Sequence, residues 1–430
     1  MDVTIRSSSL AGCVMAPPSK SYTHRAILAA GHSFSTKIEN PLLSADTQAT
    51  IRAIKALGST VVEDDGLLIT GFHDRPSPPS DIIDCANSGT TMRLLIATAA
   101  LVDGTTTLTG DESLSSRPQG ELLDAITQLG GEATSIQNNG RAPIVIKGPI
   151  NGGSVSVPGN ISSQFITSLL MAGGVTESGI DITITSELKS KPYVDITIEL
   201  LKSFGIETHI TENGYRVPGG QSYSPHNPVY KVPGDFSSIS YLLAAGALAS
   251  DTGIIVTGAQ PTSQGDAAIV DILSNMGADI HWNLSEETIS ITKSILSGTT
   301  IDVGNTPDLL PTLAILGAAA DGKTTIVNCS HVRYKETDRV SAMSEELQKL
   351  GVKTKEQSDK LTIYGSNSPF PGAKLNGRGD HRIIMSLSIL GLISSGAIQI
   401  SGAEHVAVSY PDFFQVLKSL GAEIKGDQQL

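Results

Sequence analysis

The hydrophobic and polar positions along the chain repeat one pattern six times. An amphipathic segment ends in a large apolar residue plus Gly, and a short stretch that alternates apolar and polar residues follows. The successive Gly are 72, 75, 72, 74 and 70 residues apart, in the pairs Leu57-Gly58, Leu129-Gly130, Phe204-Gly205, Met276-Gly277, Leu350-Gly351 and Leu420-Gly421. Because Gly is typical of the left-handed residue after a helix, we predict that each unit has a surface helix leading into a strand.

A second helix is predicted upstream in each unit, and it carries very little charge. The predicted ranges are 26–30, 91–101, 165–172, 239–249, 309–320 and 383–393. A helix that is apolar nearly all round is buried. Segments rich in Thr, Ile and Val, such as 104–109 and 322–327, follow a turn and predict a strand between the two helices. The pattern therefore predicts an α/β protein.

The repeat is longer than the roughly 20 to 50 residues of open solenoids, so we expect a few units to close into a globular domain. Three units per domain is the natural division of six. A turn-rich segment at 218–228 lies between the third and fourth units and indicates the boundary. Two similar halves with a cleft between them would follow.

Composition restricts the class of partner. Lys and Arg number 30 against 43 Asp and Glu, which gives a net charge of −13. We therefore expect no nucleic acid and no membrane among the partners. Cys13, Cys85 and Cys329 are far apart and form no metal-binding or disulfide pattern. Since the first residues lack an apolar signal core, we expect a cytoplasmic protein.

Three cationic residues lie at helix starts, where a positive charge is unfavourable. Lys20, Arg25 and Arg382 fall in or near the first turn of predicted buried helices, where the macrodipole opposes positive charge by roughly 0.3–1 kcal/mol each. A bound anion would compensate, although the side chains could instead reach solvent or pair with Asp380 or Glu39. Their equivalent places in the first and last units favour a function.

Three further cations precede or begin the surface helices: Arg117, Lys335 and Arg339. Lys335 and Arg339 are spaced i, i+4 and would repel each other on a helix unless an anion bridged them. Glu336 could equally pair with Arg339 as an ordinary solvated helix face. Together the six cations suit a small substrate with several negative charges.

Two carboxylates are the available acid and base, Asp308 and Glu336. Asp308 alone would more often cap a helix after Pro307. His381 is interpreted mainly as a packing or orienting residue. Motifs for nucleotide hydrolysis, dinucleotide binding, zinc hydrolysis and a serine nucleophile elbow do not occur in the sequence.

Several segments, in order along the whole chain, resemble the 5-enolpyruvylshikimate-3-phosphate (EPSP) synthases. They are PSKSYTHRA at 18–26, NSGTTMR at 87–93, SSQF at 162–165, SKPY at 190–193, KETDR at 335–339 and DHR at 380–382. The resemblance implies two inverse α/β-barrel domains, each of three βαβαββ units, with the active-site cleft between them. It places residues 1–18 and 233–430 in one domain and 19–232 in the other, with hinges near 17–18 and 232–233.

The resemblance also implies the reaction. Such an enzyme transfers the enolpyruvyl group of phosphoenolpyruvate (PEP) to the 5-hydroxyl of shikimate 3-phosphate and releases phosphate. This step belongs to chorismate and aromatic amino-acid biosynthesis and passes through a tetrahedral intermediate. No cofactor and no metal are implied, and a monomer is expected.

Site residues carry over by motif. For shikimate 3-phosphate the resemblance implies Lys20, Ser21, Arg25, Ser162, Ser163, Gln164, Ser190, Tyr193, Asp308 and Lys335. For PEP it implies Lys20, Asn87, Gly89, Thr90, Arg117, Gln164, Arg339 and Arg382. Asp308 is the implied general base, and Glu336, with Lys20 or Lys335, the implied acid that protonates the methylene carbon of PEP.

The chain departs from the family pattern at three positions. Val408 stands where a Lys commonly helps to bind the PEP phosphate, His331 where Asn is usual, and Leu94 where Pro is frequent. The affinity for PEP and the response to the PEP-competitive inhibitor glyphosate are therefore open at this point.

Other functions remain possible from the sequence. UDP-N-acetylglucosamine enolpyruvyl transferase shares the fold but usually carries a reactive Cys before its Arg-Pro, and segment 111–118 has none. An RNA 3′-phosphate cyclase uses related repeats. A non-catalytic binder of phosphorylated metabolites could keep the cations without the acid and base.

Overall fold

The first half of the chain contains two N-terminal strands and then three rounds of helices and strands. The computed structural model describes residues 1–72, 75–366 and 368–426. The strands are β1 (Asp2–Ile5), β2 (Gly12–Met15), β3 (Ser35–Glu39), β4 (Thr60–Glu63), β5 (Leu67–Thr70), β6 (Ile83–Asp84), β7 (Thr105–Thr109), β8 (Glu132–Ser135), β9 (Ile144–Lys147), β10 (Gly153–Val157), β11 (Ile180–Ile184), β12 (His209–Thr211), β13 (Gly214–Val217) and β14 (Val229–Lys231). The helices are α1 (Lys20–His32), α2 (Ala45–Ala56), α3 (Gly89–Ala99), α4 (Glu112–Ser115), α5 (Gly120–Gln128), α6 (Ser163–Gly173) and α7 (Pro192–Ser203).

The second half repeats this succession. Its strands are β15 (Ile254–Thr257), β16 (Asp279–Asn283), β17 (Thr288–Thr292), β18 (Thr300–Asp302), β19 (Gly322–Val327), β20 (Lys353–Gln357), β21 (Lys360–Gly365), β22 (Ala373–Asn376), β23 (Ile398–Ser401) and β24 (Ile424–Gly426). Its helices are α8 (Phe236–Ala249), α9 (Ile269–Asn275), α10 (Leu310–Ala319), α11 (Arg339–Lys349), α12 (His381–Gly391) and α13 (Phe413–Ser419). Short 3-10 helices lie at Gly265–Ala268, Pro307–Leu309, Ser330–Tyr334 and Ala403–Val408.

The described strands form six sheets of four strands, all with one pairing pattern. In each sheet one outer pair of strands is parallel and the other two pairs are antiparallel. The sheet orders are β14-β3-β5-β4, β6-β7-β9-β8, β10-β11-β13-β12, β2-β15-β17-β16, β18-β19-β21-β20 and β22-β23-β1-β24, each written from the parallel pair. A parallel pair requires a crossover connection, and in four of the sheets a buried helix supplies it, for example α10 between β18 and β19. The predicted α/β class and the sixfold repeat are confirmed.

The chain divides into two compact units, Pro18–Val232 and a second unit of Met1–Pro17 with Pro233–Leu430. Strand pairing explains why the first residues belong with the last. Strand β2 pairs in parallel with β15, and β1 inserts between β23 and β24. In the other unit β14 returns to pair with β3, so the turn-rich segment 218–228 precedes the last strand of that unit. Turn composition marks a loop but does not distinguish a loop within a unit from a linker.

Each unit has its own hydrophobic core, built on the predicted low-charge helices. All residues of α8 are buried, as are Leu310 to Ala318 of α10. The observed helices begin two or three residues before most of the predicted ranges, because polar capping residues there belong to the first turn. In the alternating stretch after Gly205 only His209–Thr211 forms a strand.

The surface helices end at the predicted Gly. The described Gly58, Gly130, Gly205, Gly277, Gly351 and Gly421 all have φ between 77° and 110°. At Gly351 the backbone N–H of Val352 returns to the carbonyl of Leu347 at 3.1 Å, which closes α11. The left-handed residue thus turns each surface helix into the strand that follows it.

We expect Gly351→Ala to destabilise the protein by about 1 kcal/mol, because a side chain raises the energy of the left-handed conformation. A Cβ at Gly351 would meet no atom within 4 Å, so only backbone strain acts. Urea denaturation measures the change. Gly351→Asn should cost less, since Asn tolerates this region, and an Ala variant as stable as the wild type would contradict the explanation.

Candidate active site

In the unit Pro18–Val232 the predicted site residues lie at helix N-termini. Ser19, Ser88 and Ser162 are the N-caps of α1, α3 and α6, and the side chain of each accepts a backbone N–H of the first turn. Ser162, one of the predicted site residues, is therefore also a helix cap. Side-chain hydrogen bonds connect these helix ends to one another.

Lys20 lies at the start of α1 and pairs with Asp46, in the first turn of α2. Its Nζ is 3.0 Å from Asp46 Oδ2, and both side chains are largely buried. The hydroxyl of Thr91 in α3 donates to the Asp46 carbonyl at 3.3 Å. Asp46 thus connects the first turns of α1, α2 and α3, and it takes the place of the partners considered for Lys20 in the sequence.

Arg25 is fully buried and joins α1 to α7. Its Nε donates to Thr197 Oγ1 at 2.8 Å, its Nη2 to the Tyr193 carbonyl at 3.1 Å, and its Nη1 to the Ser21 carbonyl at 2.9 Å. These acceptors are neutral, and burial lowers the pKa of the guanidinium group to about 10. A buried cation held by neutral acceptors favours a nearby anion.

Arg117 and Gly89 form a close contact at the start of α3. Arg117 Nη2 donates to Asn87 Oδ1 at 3.2 Å and to Ser113 Oγ at 3.1 Å. Its buried Nε has no hydrogen-bond partner among the described residues. A Cβ at Gly89 would lie 2.9 Å from Arg117 Nη1, so the absence of a side chain allows the guanidinium group to approach.

Gln164 connects the starts of α3 and α6. Its Nε2 donates to Thr90 Oγ1 at 2.9 Å, and its Oε1 accepts from Arg93 Nη1 at 3.1 Å. Arg93 also lies over the ring of Phe165, with its guanidinium carbon 5.5 Å from the centroid. Arg93 was not among the predicted site residues, although a single charge on an otherwise apolar helix was a usable signal.

The remaining predicted residues of this unit lie nearby along the same helices. Ser163 is buried in the first turn of α6, and Ser190 has a left-handed backbone (φ 56°) just before α7. Tyr193 is nearly buried in the first turn of α7, where its carbonyl holds Arg25. This unit therefore presents hydroxyl, amide and cationic groups at the starts of α1, α3, α6 and α7.

In the other unit, three predicted cations surround one carboxylate. Arg339 Nη1 donates to Asp308 Oδ1 at 2.9 Å, and Arg382 Nη2 to Asp308 Oδ2 at 2.9 Å. Lys335 Nζ lies 3.6 Å from Asp308 Oδ1. Asp308 lies within the 3-10 helix before α10 and is not its N-cap, so the capping interpretation of this residue is wrong.

Arg339 is held by two further carboxylates. Its Nε donates to Asp380 Oδ2 at 2.7 Å and its Nη2 to Glu336 Oε2 at 2.6 Å. Although burial acts in the opposite direction, Asp380, Glu336 and Asp308 together raise the pKa of Arg339. The Glu336–Arg339 pair that the sequence allowed does form, but Arg339 is buried and also contacts Asp308 and Asp380, so the pair is not on a solvated surface.

Lys335 lies outside α11, so the predicted i, i+4 repulsion with Arg339 on one helix does not arise. Burial lowers the pKa of the Lys335 ammonium group, and Arg339 and Arg382 lower it further, while Asp308 and Glu336 raise it. A lowered pKa brings a Lys closer to acting as a proton donor near neutral pH.

Asp380 caps α12 through the backbone N–H of Arg382 at 2.8 Å. His381 is buried and its Nδ1 lies 3.9 Å from Asp380 Oδ1, in keeping with a packing residue. Of the positions that depart from the family pattern, His331 is buried and Leu94 belongs to the core of α3. Val408 ends the 3-10 helix Ala403–Val408.

A buried polar network lies at the start of α8. The Ser237 hydroxyl donates to Asp266, and Gln264 Nε2 donates to Asp235 Oδ1 at 2.9 Å. Burial raises the pKa of the Asp266 carboxyl to about 7, and the charge of Asp308 raises it as well. Asp266 is therefore close enough to Asp308 for their charges to interact.

Comparison with known proteins identifies the family. The EPSP synthase (3-phosphoshikimate 1-carboxyvinyltransferase) family profile matches residues 5–417. The 3-phosphoshikimate 1-carboxyvinyltransferase of Halobacterium salinarum is 56% identical over 430 residues, covering 99% of this chain and 100% of that protein. That of Methanococcoides burtonii is 49% identical, with 99% of each chain covered.

Solved structures share the fold. The EPSP synthase of Acinetobacter baumannii superimposes with a TM-score of 0.83 at 26% identity, covering 99% of this chain and 100% of that one. The enolpyruvyl transferase NikO of Streptomyces tendae gives a TM-score of 0.79 at 20% identity, over 99% and 98% of the chains. The second likeness concerns the fold alone.

The described strands form six sheets with one repeated pattern. Cations, carboxylates and hydroxyls lie at the helix starts, so fold and site define a transferase class that is suited to small anionic substrates. The chain belongs to the EPSP synthase family, 3-phosphoshikimate 1-carboxyvinyltransferase. It is a transferase of the shikimate pathway of aromatic amino-acid biosynthesis. This decides between the enolpyruvyl transferases, the cyclase and the binder that the sequence left open.

The described part of the chain has neither a membrane-spanning helix nor a cluster of side chains arranged for a metal ion. No described helix is long and apolar enough to span a membrane. Within the same part of the chain, no cluster of three or more His, Cys, Asp or Glu residues is arranged to hold a metal ion.

We expect Asp266→Asn to change how stability depends on pH. The folded-state pKa of about 7 lies above the unfolded value of about 3.9, so the wild type loses stability as pH rises from about 4 to 7. The loss is at most about 1.4 kcal/mol per pH unit relative to the variant, which has no proton to lose. Urea denaturation of both proteins from pH 4 to 8 measures it, and parallel curves would refute the assignment.

Proposed function

We propose that the site residues of the unit Pro18–Val232 and the site residues around Asp308 in the other unit act together on one pair of substrates. The substrates are shikimate 3-phosphate and PEP, and they bind in a cleft formed by two inverse α/β-barrel domains. The observation that carries this is Asp308, a carboxylate in contact with Arg339, Arg382 and Lys335. The unit Pro18–Val232 contributes hydroxyl and amide donors but no equivalent carboxylate among its predicted site residues. The site residues of one unit alone therefore do not supply both the base and all the hydrogen-bond donors that shikimate 3-phosphate, the acceptor substrate, requires.

Shikimate 3-phosphate is assigned mainly to the helix starts of the unit Pro18–Val232. Ser162, Ser163 and Ser190 offer hydroxyls beside backbone N–H groups, the usual setting for a bound phosphate. The full set is Lys20, Ser21, Arg25, Ser162, Ser163, Gln164, Ser190 and Tyr193, with Asp308 and Lys335 from the other unit. Arg25 contributes its positive charge from a buried position and holds Ser21 and Tyr193 in place.

PEP is assigned to the cations that can bind a carboxylate or phosphate through two nitrogens. These are Arg117, Arg339 and Arg382, with Lys20 as a point charge, and Asn87, Gly89, Thr90 and Gln164 complete the set. Arg117 has a buried Nε with no hydrogen-bond partner among the described residues, which suits an incoming anion. Val408 provides no charge, so binding of the PEP phosphate depends on the cations just named.

The first step adds the acceptor to PEP. Asp308 takes the proton of the 5-hydroxyl, and the oxygen forms a bond to the C2 carbon of PEP. Glu336, after receiving a proton from Lys335 or Lys20, donates it to the methylene carbon, which becomes a methyl group. The positive groups around Asp308 and Glu336 stabilise the charged tetrahedral intermediate.

The second step eliminates phosphate. Glu336, now a carboxylate, removes a proton from the methyl group and returns it to the Lys as the bond from C2 to the phosphate oxygen breaks. The proton held by Asp308 passes to the leaving phosphate. Both carboxylates return to their starting state, so atoms and protons balance over the cycle.

We expect Asp308→Ala to lower kcat far more than it raises KM for either substrate, by about 10² or more for the loss of a general base. Asp308→Asn should behave similarly while keeping the shape of the side chain. Phosphate release from PEP with shikimate 3-phosphate measures both constants. A wild-type kcat in either variant would rule out Asp308 as the base.

We expect Gly89→Ala to weaken PEP binding selectively. The added Cβ would lie 2.9 Å from Arg117 Nη1, closer than real Cβ contacts, so the guanidinium group must shift. KM for PEP should rise about tenfold while KM for shikimate 3-phosphate stays within about twofold, in line with about 1.4 kcal/mol per tenfold change. Equal changes in both KM values would contradict the assignment of Arg117 to PEP.

A further inference from the structure

Arg333 is the most highly connected charged side chain next to the site residues, and the reaction assigned above does not use it. It lies in the 3-10 helix Ser330–Tyr334, two residues before Lys335. Its side chain is 19% exposed, and its guanidinium group contacts a hairpin turn on one side and the start of α11 on the other.

The first set of contacts ties Arg333 to the turn between β20 and β21. Nε donates to the Ser358 carbonyl at 2.9 Å and Nη2 to the Gln357 carbonyl at 2.6 Å. Nη1 donates to Glu356 Oε1 at 2.8 Å. Because all three acceptors belong to one two-stranded hairpin, the guanidinium group has a fixed orientation.

The second contact closes a short loop. Arg333 Nη1 lies 2.7 Å from Asp338 Oδ2, while Asp338 Oδ1 accepts the backbone N–H groups of Val340 and Ser341 at 3.1 Å each. Arg333 thus holds the residue that caps α11. Only residues 334–337 lie between the two ends of this ion pair, and they include Lys335 and Glu336.

Little else anchors these four residues by packing. Tyr334 is 63% exposed, and Lys335, Glu336 and Thr337 are all partly exposed. Lys335 and Glu336 nevertheless reach Asp308 and Arg339, at 3.6 Å and 2.6 Å. Their backbone positions therefore depend on the fixed residues at either end of the segment.

We propose that Arg333 is a positioning residue that holds Lys335 and Glu336 in place for the transfer reaction. This proposal rests on the functions assigned above to Lys335 and Glu336. Arg333 touches neither substrate in this account and acts through the backbone of residues 334–337. A purely structural Arg333 would change stability without changing the rate of the folded enzyme.

A double-mutant cycle tests the proposal in the full-length enzyme. R333M should lower kcat about tenfold and change both KM values less, because acid–base geometry is lost while most substrate contacts remain. In the E336Q background the same substitution should lower kcat by less than about twofold, since Glu336 can no longer be positioned. Additive effects would overturn the proposal.

Control variants separate positioning from folding. K349M removes a cation from the last turn of α11, where it pairs with buried Glu346 at 2.7 Å, and should lower Tm with kcat unchanged. R333K keeps the charge but not the forked contacts, so its kcat should lie between those of R333M and the wild type. It also replaces R333M if that variant does not fold. A wild-type kcat in R333K and in folded R333M would overturn the proposal.

The cycle also distinguishes this proposal from the assigned chemistry. A wild-type kcat in E336Q would remove Glu336 from the mechanism. The cycle of R333M with K335M would then decide the matter: non-additive effects on kcat support positioning by Arg333, and additive effects overturn it.

Discussion

Parallel strand pairing, which occurs once in each of the six sheets of the described residues, is the constraint on which the rest of the structure depends. Such a pair needs a crossover, and in four sheets the crossover contains one low-charge helix, α3, α6, α10 or α12. In the other two sheets the parallel strands are far apart in the sequence, β3 with β14 and β2 with β15. Since the pairing pattern is the same in all six sheets of the described residues, the helix starts of each unit occupy equivalent places. Ligand-binding residues can then collect at these starts from parts of the sequence far apart.

The two units stabilise the cations near their helix starts with different kinds of partner. Around Asp308, three cations are neutralised by Asp308, Glu336 and Asp380 before any substrate is present. Arg25 and Arg117 are held mainly by hydroxyl, amide and carbonyl oxygens instead. An unpaired buried cation is costly, so these two positions gain most from an arriving anion.

The regular features of the fold were predictable because they follow from local sequence. Six apolar-Gly pairs located the ends of the surface helices, and low charge located the buried ones. Asp46 and Asp266 could not be found this way: an acidic residue in a first turn is ordinary, and only the tertiary structure brings Asp46 to Lys20 or Asp266 to Ser237. The prediction that Lys335 and Arg339 lie on one helix was wrong, because α11 begins only at Arg339 and an i, i+4 contact would require a helix that begins at Lys335. The roles given to the site residues stay predictions.

Under the proposed role of Asp308 as the base, its contacts also connect substrate binding to its ability to accept a proton. In the structure both of its oxygens accept hydrogen bonds from guanidinium groups, Oδ1 from Arg339 and Oδ2 from Arg382. A carboxylate whose oxygens are engaged in this way is a poor proton acceptor. In the proposed mechanism an anionic substrate that takes over Arg382 removes one of these hydrogen bonds, while Asp380 and Glu336 keep Arg339 in place. Asp308 would then be a better proton acceptor when the anion that it must act beside is bound.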